Sequence, residues 1–314
     1  MNRAESQNVT DYPNSNTIFM VWKFHDDPKL KEVFQQLCAL VLNLNNSVFN
    51  RFPDSRASCV MGIGAEAWKK LELPTPPPKE LTNFEEIKGI KHTAVSTPGD
   101  LHFHLRADNK SLIFDMAIEI SNLLSSVAES ILEIHGFKYW DARSILGFVD
   151  GTENPHGEDR DYFAKIGDED SQYKDGSYLF VQKYLHNMAA WKGLSTEDQE
   201  KVIGRSKEND IEMSDDVKPS NSHIALANIE GENGEELKIV RDNMPFGSPS
   251  SNEFGTYFIA YASTFTTTKK MLTNMFIGDP PGNYDRILDF STAVTGTLFF
   301  VPTRNMLDEF SNVK

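Results

Sequence analysis

The chain has 314 residues, 39% hydrophobic and 25% charged, a composition that supports a large globular core and excludes disordered or fibrous classes. Its formal net charge of -15 argues against nucleic acid as a partner, since phosphate binding needs clustered Lys and Arg. No apolar run approaches the ~20 residues that span a bilayer, so no membrane partner is expected.

Met1 to Ser15 is polar and lacks both a basic region and an apolar stretch, which predicts a flexible tail without a secretory signal. Thr17 to Phe24 is short and apolar and predicts a buried strand. Asp27-Pro28 then opens a helix with Leu30, Val33, Phe34, Leu37, Leu40, Val41 and Leu44 at helical spacing. A second strand is predicted over Ala57 to Gly64, a short helix over Ala65 to Leu71, and a wrapped proline-rich connection over Pro74 to Pro78. Leu101 to Ala107 alternates apolar and polar residues, as a half-buried strand does. A helical pattern over Ser111 to Leu124 and a strand over Ile131 to Trp140 follow. Cys38 and Cys59, the two cysteines, lie within apolar patterns and are expected as buried thiols in a reducing compartment, with the cytoplasm as location.

This order, β-α-β twice over, suits a ferredoxin-like α+β unit with an antiparallel sheet. The pattern then recurs. Ser177 to Tyr184 resembles Thr17 to Phe24, and Thr256 to Ala262 resembles Leu101 to Ala107, each followed by a helical segment. A duplicated module is expected. The expected divisions are a tail over residues 1–15, a first half over 16–145, a connecting segment over 146–176, a second half over 177–302 and a C-terminal tail over 303–314. Glu158 to Asp175 is acidic and turn-rich. A divalent cation is conceivable there, but a solvated charged loop is the simpler account. Ser195 and Asp198 mark a helix start, with Ser195 as the N-cap.

One stretch stands apart. Ile145 to Pro155 reads I-L-G-F-V-D-G-T-E-N-P, an apolar run that delivers Asp150 into a sharp turn. As residues alone, this is a strand ending in a surface turn, or a carboxylate tuned at the edge of a core between glycines that admit close approach. Gly147-Phe148-Val149-Asp150-Gly151 matches the G-x-x-D-G signature of dye-decolourising peroxidases, and Thr152-Glu153-Asn154-Pro155 continues the likeness. Gly204-Arg205 and the closing strand Thr295 to Pro302 also resemble that family, most of all its compact bacterial members. The resemblance runs from about residue 16 to residue 302.

The resemblance implies two ferredoxin-like halves with a haem pocket associated with the C-terminal half. It implies haem b (iron protoporphyrin IX) as cofactor, with hydrogen peroxide as oxidant and a small organic electron donor, a dye or phenol, oxidised through a ferryl haem intermediate. It matches His223, in Pro219 to Ala227, to the proximal iron ligand, and Asp285 to the carboxylate that fixes the imidazole tautomer. Asp289, one turn on, is the competing acceptor. Arg241 and Asn243, in Leu237 to Gly247, match the distal arginine and asparagine that would complete a peroxide site with Asp150. Gly151, Thr152, Glu153 and Arg241 are further expected haem contacts.

The chemistry requires these residue types. A carboxylate can take a proton from one peroxide oxygen and return it to the other. A fixed guanidinium polarises the O–O bond, and an amide holds the peroxide or an ordered water. An Asp shuttle, with an ordinary pKa near ~3.9, implies an acidic activity optimum. The alternative function is a non-enzymatic haem-binding or haem-handling protein on the same fold. The short C-terminal segment predicts no packaging within a protein shell, and the family's habit of oligomerising predicts a homo-oligomer. Trp191 and Tyr184 are candidate electron relays, although ordinary packing accounts for both. The seven other histidines, among them His102 and His104, are expected to be structural or exposed.

Overall fold

The computed structural model describes residues 5–231 and 233–312. Its first half comprises β1 (Asn16–Phe24), α1 (Leu30–Arg51), β2 (Ser58–Gly64), β3 (Leu101–Ala107), α2 (Lys110–Leu124) and β4 (Ala128–Phe137). β1 pairs antiparallel with both β3 and β4, and β3 with β2. The spatial order of the four is thus β2-β3-β1-β4, that of a ferredoxin-like sheet. α1 buries Leu30, Val33, Phe34, Leu37, Cys38, Val41 and Val48 along one stripe, and it stops at Phe52-Pro53 because the residue before proline resists helical backbone.

The second half repeats this arrangement with β5 (Ser177–His186), β6 (Val240–Arg241), β7 (Met244–Ser248), β8 (Glu253–Ala262), α3 (Phe265–Phe276) and β9 (Thr297–Val301). β5 lies between β8 and β9, and β8 carries β6 and β7 on its outer side. β9 pairs with β2, placing Phe299 opposite Gly64 and Phe300 opposite Ile63, so both halves share one ten-stranded sheet.

The sheet has two apolar faces. Ile18, Met20, Trp22, Leu101, Phe103 and Leu105 pack under the helices. Phe19, Val21, Val60, Leu179, Val181, Tyr257, Ile259, Tyr261 and Phe299 form a second core in which the two halves meet. Phe19 of β1 stacks on Tyr257 of β8 with ring centroids 4.2 Å apart.

That second core corrects the reading of Leu101 to Ala107 as half-buried. Every residue of β3 is buried, because His102, His104 and Arg106 face the other half rather than water. The described part of the presumed N-terminal tail, residues 5–15, is also packed. Gln7 is buried, donating from Nε2 to the carbonyls of Met61 and Pro302 and accepting the Met61 N–H. Its polar side chains thus replace missing ladder partners, which composition does not reveal. The presumed C-terminal tail contains a helix, Arg304–Ser311, that buries Leu307 and Phe310 against α1. Glu158 to Asp175 is partly helical, over Asp159–Ala164 and Asp168–Tyr173, and among the described residues no cluster suited to a metal ion exists.

Candidate active site

On the helix side of the second half, the sheet is not fully covered. Where the first half has the 22-residue α1, the second has a long excursion from residue 187 to 239 with helices at Met188–Lys192, Thr196–Ile203 and His223–Ala227. Between this excursion and the sheet lies a cavity. Leu146, Phe148, Phe258, Met271, Met275 and Ile287 make its wall mainly apolar.

His223 stands at the start of its short helix and lines the cavity. Its Nδ1 donates to Asp285 Oδ2 at 2.7 Å, which leaves Nε2 with a free lone pair. Asp285 is fully buried, and its second oxygen accepts the N–H of Ile287 at 3.0 Å, so the carboxylate itself cannot swing. The competing Asp289 is engaged elsewhere, with Lys91, His92 and Tyr284.

Asp150, Arg241 and Asn243 line the same cavity. Asn243 donates from Nδ2 to both oxygens of Asp150, at 3.2 and 3.3 Å, and accepts the Ile259 N–H at Oδ1, at 3.1 Å. That last bond fixes which end of the amide faces the carboxylate. Arg241 Nε is buried and has no hydrogen-bond partner among the described residues. A buried donor in this state suits an anionic or strongly accepting group. A second cavity, of about 270 Å³, shares Asp150, Arg241 and Asn243 and extends past Tyr12, Tyr139 and His156.

The G-x-x-D-G segment is not a strand. It is a loop tied by isolated bridges from Arg143 to Tyr139 and Val149. Gly147 and Gly151 adopt φ of +94° and +87°, so both glycines serve the backbone conformation that aims Asp150. Thr152 and Glu153 point away from the cavity wall into a polar cluster. Thr152 donates to Asp210, while Glu153 accepts from Arg205, which also binds Asp210. The expected helix start is present, with Ser195 Oγ accepting the Asp198 N–H. Trp191 is buried, with its Nε1 donating to the Leu146 carbonyl at 2.9 Å, and is therefore no surface aromatic.

Asn154 belongs to the same motif, and the sequence assigns it no task. Its side chain clamps the backbone of Arg241, accepting its N–H and donating to its carbonyl, both at 2.8 Å. The motif loop and the strand of Arg241 are thereby one unit. The signal was the Asn-Pro turn, which explains its own loop well enough to hide a contact 87 residues away.

Comparisons with known proteins give the family. A family model described as "Dyp-type peroxidase, N-terminal" matches residues 7–138, and one described as "Dyp-type peroxidase, C-terminal" matches residues 141–306. A dye-decolorizing peroxidase of Rhodococcus erythropolis is 51% identical over 292 residues, which is 93% of this chain and 85% of that protein. A crystal structure of a dye-decolorizing peroxidase from Bacteroides thetaiotaomicron superposes with a TM-score of 0.95 at 52% identity, covering 98% of this chain and 99% of that one. A Rhodococcus jostii variant in complex with haem superposes with a TM-score of 0.93 at 46% identity, covering 98% and 99% of the two chains. The encapsulated DyP-type peroxidase of Mycobacterium smegmatis, at 48% identity and 98% coverage of both chains, gives 0.94. The chain belongs to the Dyp-type peroxidase family.

Proposed function

We propose that Asp150, Arg241 and Asn243 form the peroxide-handling face, and His223 with Asp285 the opposite face, of a haem-dependent peroxidase. The protein reduces hydrogen peroxide and oxidises dyes, phenols or similar organic donors. One observation carries the assignment of residues: an imidazole with a free nitrogen, a carboxylate–amide pair and a guanidinium whose Nε has no partner among the described residues line one mainly apolar cavity.

The cavity's residues fit haem b. His223 would hold the iron through Nε2, and the apolar wall would enclose the ring. Bound haem would supply the redox chemistry, taking oxidising equivalents from the peroxide and passing them to the donor in single-electron steps. The protein's part is positional and acid–base. Asp285 accepts a hydrogen bond from Nδ1–H of His223, which keeps the ring in the tautomer with a free Nε2. Asp150, oriented by Asn243 Nδ2, takes the proton from one oxygen of hydrogen peroxide and returns it to the other, which leaves as water. Arg241 directs its positive charge at the O–O bond, stabilising the charge that develops on the departing oxygen. Arg241 is also suited to a haem propionate. Gly151, Thr152 and Glu153 contribute through the loop that aims Asp150, and Glu153 is held by Arg205 rather than free in the cavity.

The reading extends to a cytoplasmic homo-oligomer. The two cysteines are free and buried, and burial raises both thiol pKa values, as suits inert thiols of a reducing compartment. Among the described residues, no helix is long and apolar enough to cross a membrane.

The test is an absorption spectrum of the purified holoprotein before and after one equivalent of hydrogen peroxide, repeated for Asp150→Ala. A haem band that shifts with peroxide, returns with a reducing donor, and shifts at least about 100-fold more slowly in Asp150→Ala is expected. An unaltered rate in a variant that still binds haem removes Asp150 from the proton step.

A further inference from the structure

Asp242 sits between Arg241 and Asn243, and the two-residue period of extended backbone turns it the other way. Its neighbours line the cavity, while Asp242 is 1% exposed and enters the core between the two halves. There Oδ2 accepts from Nη1 of Arg106 at 2.5 Å and faces Nε2 of His104 at 3.5 Å. Arg106 and His104 are fully buried and belong to β3 of the first half. Arg106 is itself fixed by donating to Ser58 Oγ at 3.2 Å and to the Asn8 carbonyl, and His104 Nδ1 pairs with Tyr261 OH at 2.8 Å.

A buried ion pair is a poor stabilising device, since desolvation consumes much of the attraction and well-packed apolar residues do as well. Its location suggests another use. Regular strand pairing lapses at residues 242 and 243, between Arg241 opposite Ala260 and Met244 opposite Tyr257. At this gap the Asp242 N–H reaches the Ile259 carbonyl at a long 3.3 Å, and the Asn243 side chain takes the Ile259 N–H. The backbone that aims both distal donors is therefore held less by its ladder than by side chains. Asn154 grips Arg241 from one side, and Arg106 grips Asp242 from the other.

We propose that Asp242, anchored by Arg106 of the first half, is a positioning residue for the peroxide reaction, setting where Arg241 and Asn243 stand. This rests on the reading of those two as the peroxide-handling pair. It also gives the first half a task in a reaction whose other named residues lie at or beyond residue 150.

Asp242→Asn keeps the shape and one acceptor for Arg106 while removing the charge. In the holoenzyme it is expected to slow the reaction with hydrogen peroxide by about tenfold, since displacements near 1 Å cost up to about 100-fold. It should weaken cyanide binding to the ferric protein by a similar factor, leaving KM for the organic donor unchanged. A lowered melting temperature with peroxide rate and cyanide affinity both unchanged would mean a structural pair only, and overturns the proposal. If Asp242→Asn does not fold, the double variant Asp242→Leu with Arg106→Met carries the test, because apolar replacement of a buried pair preserves folding. That double variant is expected to stay slow, and recovery of the wild-type rate overturns the proposal. Arg241→Leu and Asn243→Ala serve as separate controls. If neither slows the reaction, the reading of the distal face itself falls and this inference with it. If they slow it and Asp242→Asn does not, only this inference falls.

Discussion

The two halves have one topology and opposite treatments of the space beneath their helices. In the first, α1 lies as one unbroken helix on the sheet and fills that space with Phe34, Leu37 and Val41. In the second, the equivalent crossover is broken into short helices, and the space stays open between Tyr184, Phe258, Met271 and His223. A duplicated fold can thus keep one copy as a packed support and spend the other on a site. The supporting copy is not inert. Its β3 projects Arg106 into the shared core, where it meets the strand of Arg241 and Asn243.

The contrast can be broken from either side. The largest effect is expected from His223→Ala, which removes the residue proposed to hold the haem iron. Haem titration should show retention lost, while Asp285→Asn, removing only the carboxylate behind it, should weaken binding about 10–100-fold. In the first half, Leu37→Ala should destabilise the fold by about 2–5 kcal/mol, measured by urea unfolding of the apoprotein. Haem affinity of the folded fraction should be unchanged, and a marked loss would show that the halves are not divided in this way.

A pH effect sharpens the role of the shared core. Burial pulls the His102 imidazole from its ordinary 6.5 down to about 3. The folded protein therefore keeps it neutral where the unfolded chain takes up a proton. Its contribution to stability is complete above about pH 6.5 and is lost as pH falls toward 3, at up to about 1.4 kcal/mol per pH unit. His102→Gln should make the apoprotein's fall in stability between pH 6.5 and 4 measurably shallower, and identical slopes would mean that the imidazole is hydrated. The smallest effect is expected from Asn154→Ala. It leaves every proposed chemical group in place but frees the Arg241 backbone, and stopped-flow mixing with peroxide should show a rate lower by about tenfold.

The periodicity of α1, the length of β1 and the recurrence of both strand patterns are local properties, so they were legible and the structure places them as expected. Local pattern misled where polar residues had distant partners. His102, His104 and Arg106 alternate with apolar residues as they would on a strand facing water, but their partners, Tyr257, Tyr261 and Asp242, come from more than 130 residues away. Gln7 and Asn14 look like tail residues for the same reason, and Gln7 is bonded to Met61 and Pro302, Asn14 to the Arg56 carbonyl. The choice between Asp285 and Asp289 also lay beyond the sequence. Both stand within reach of a common segment, and which one faces His223 depends on Lys91, His92 and Tyr284 claiming the other.

By itself, the sequence determined the α+β class and the duplication, because hydrophobic period is carried by neighbours along the chain, while the proposed site residues came from the resemblance of their segments to the family. The tertiary structure alone decided that two halves share one sheet and a second core. It decided that Asn154 and Arg106 hold the Arg241–Asn243 segment from opposite sides, and that a broken crossover leaves room beside His223. These are relations between surfaces brought together only on folding, where burial turns a polar side chain from a solvent contact into a positional constraint.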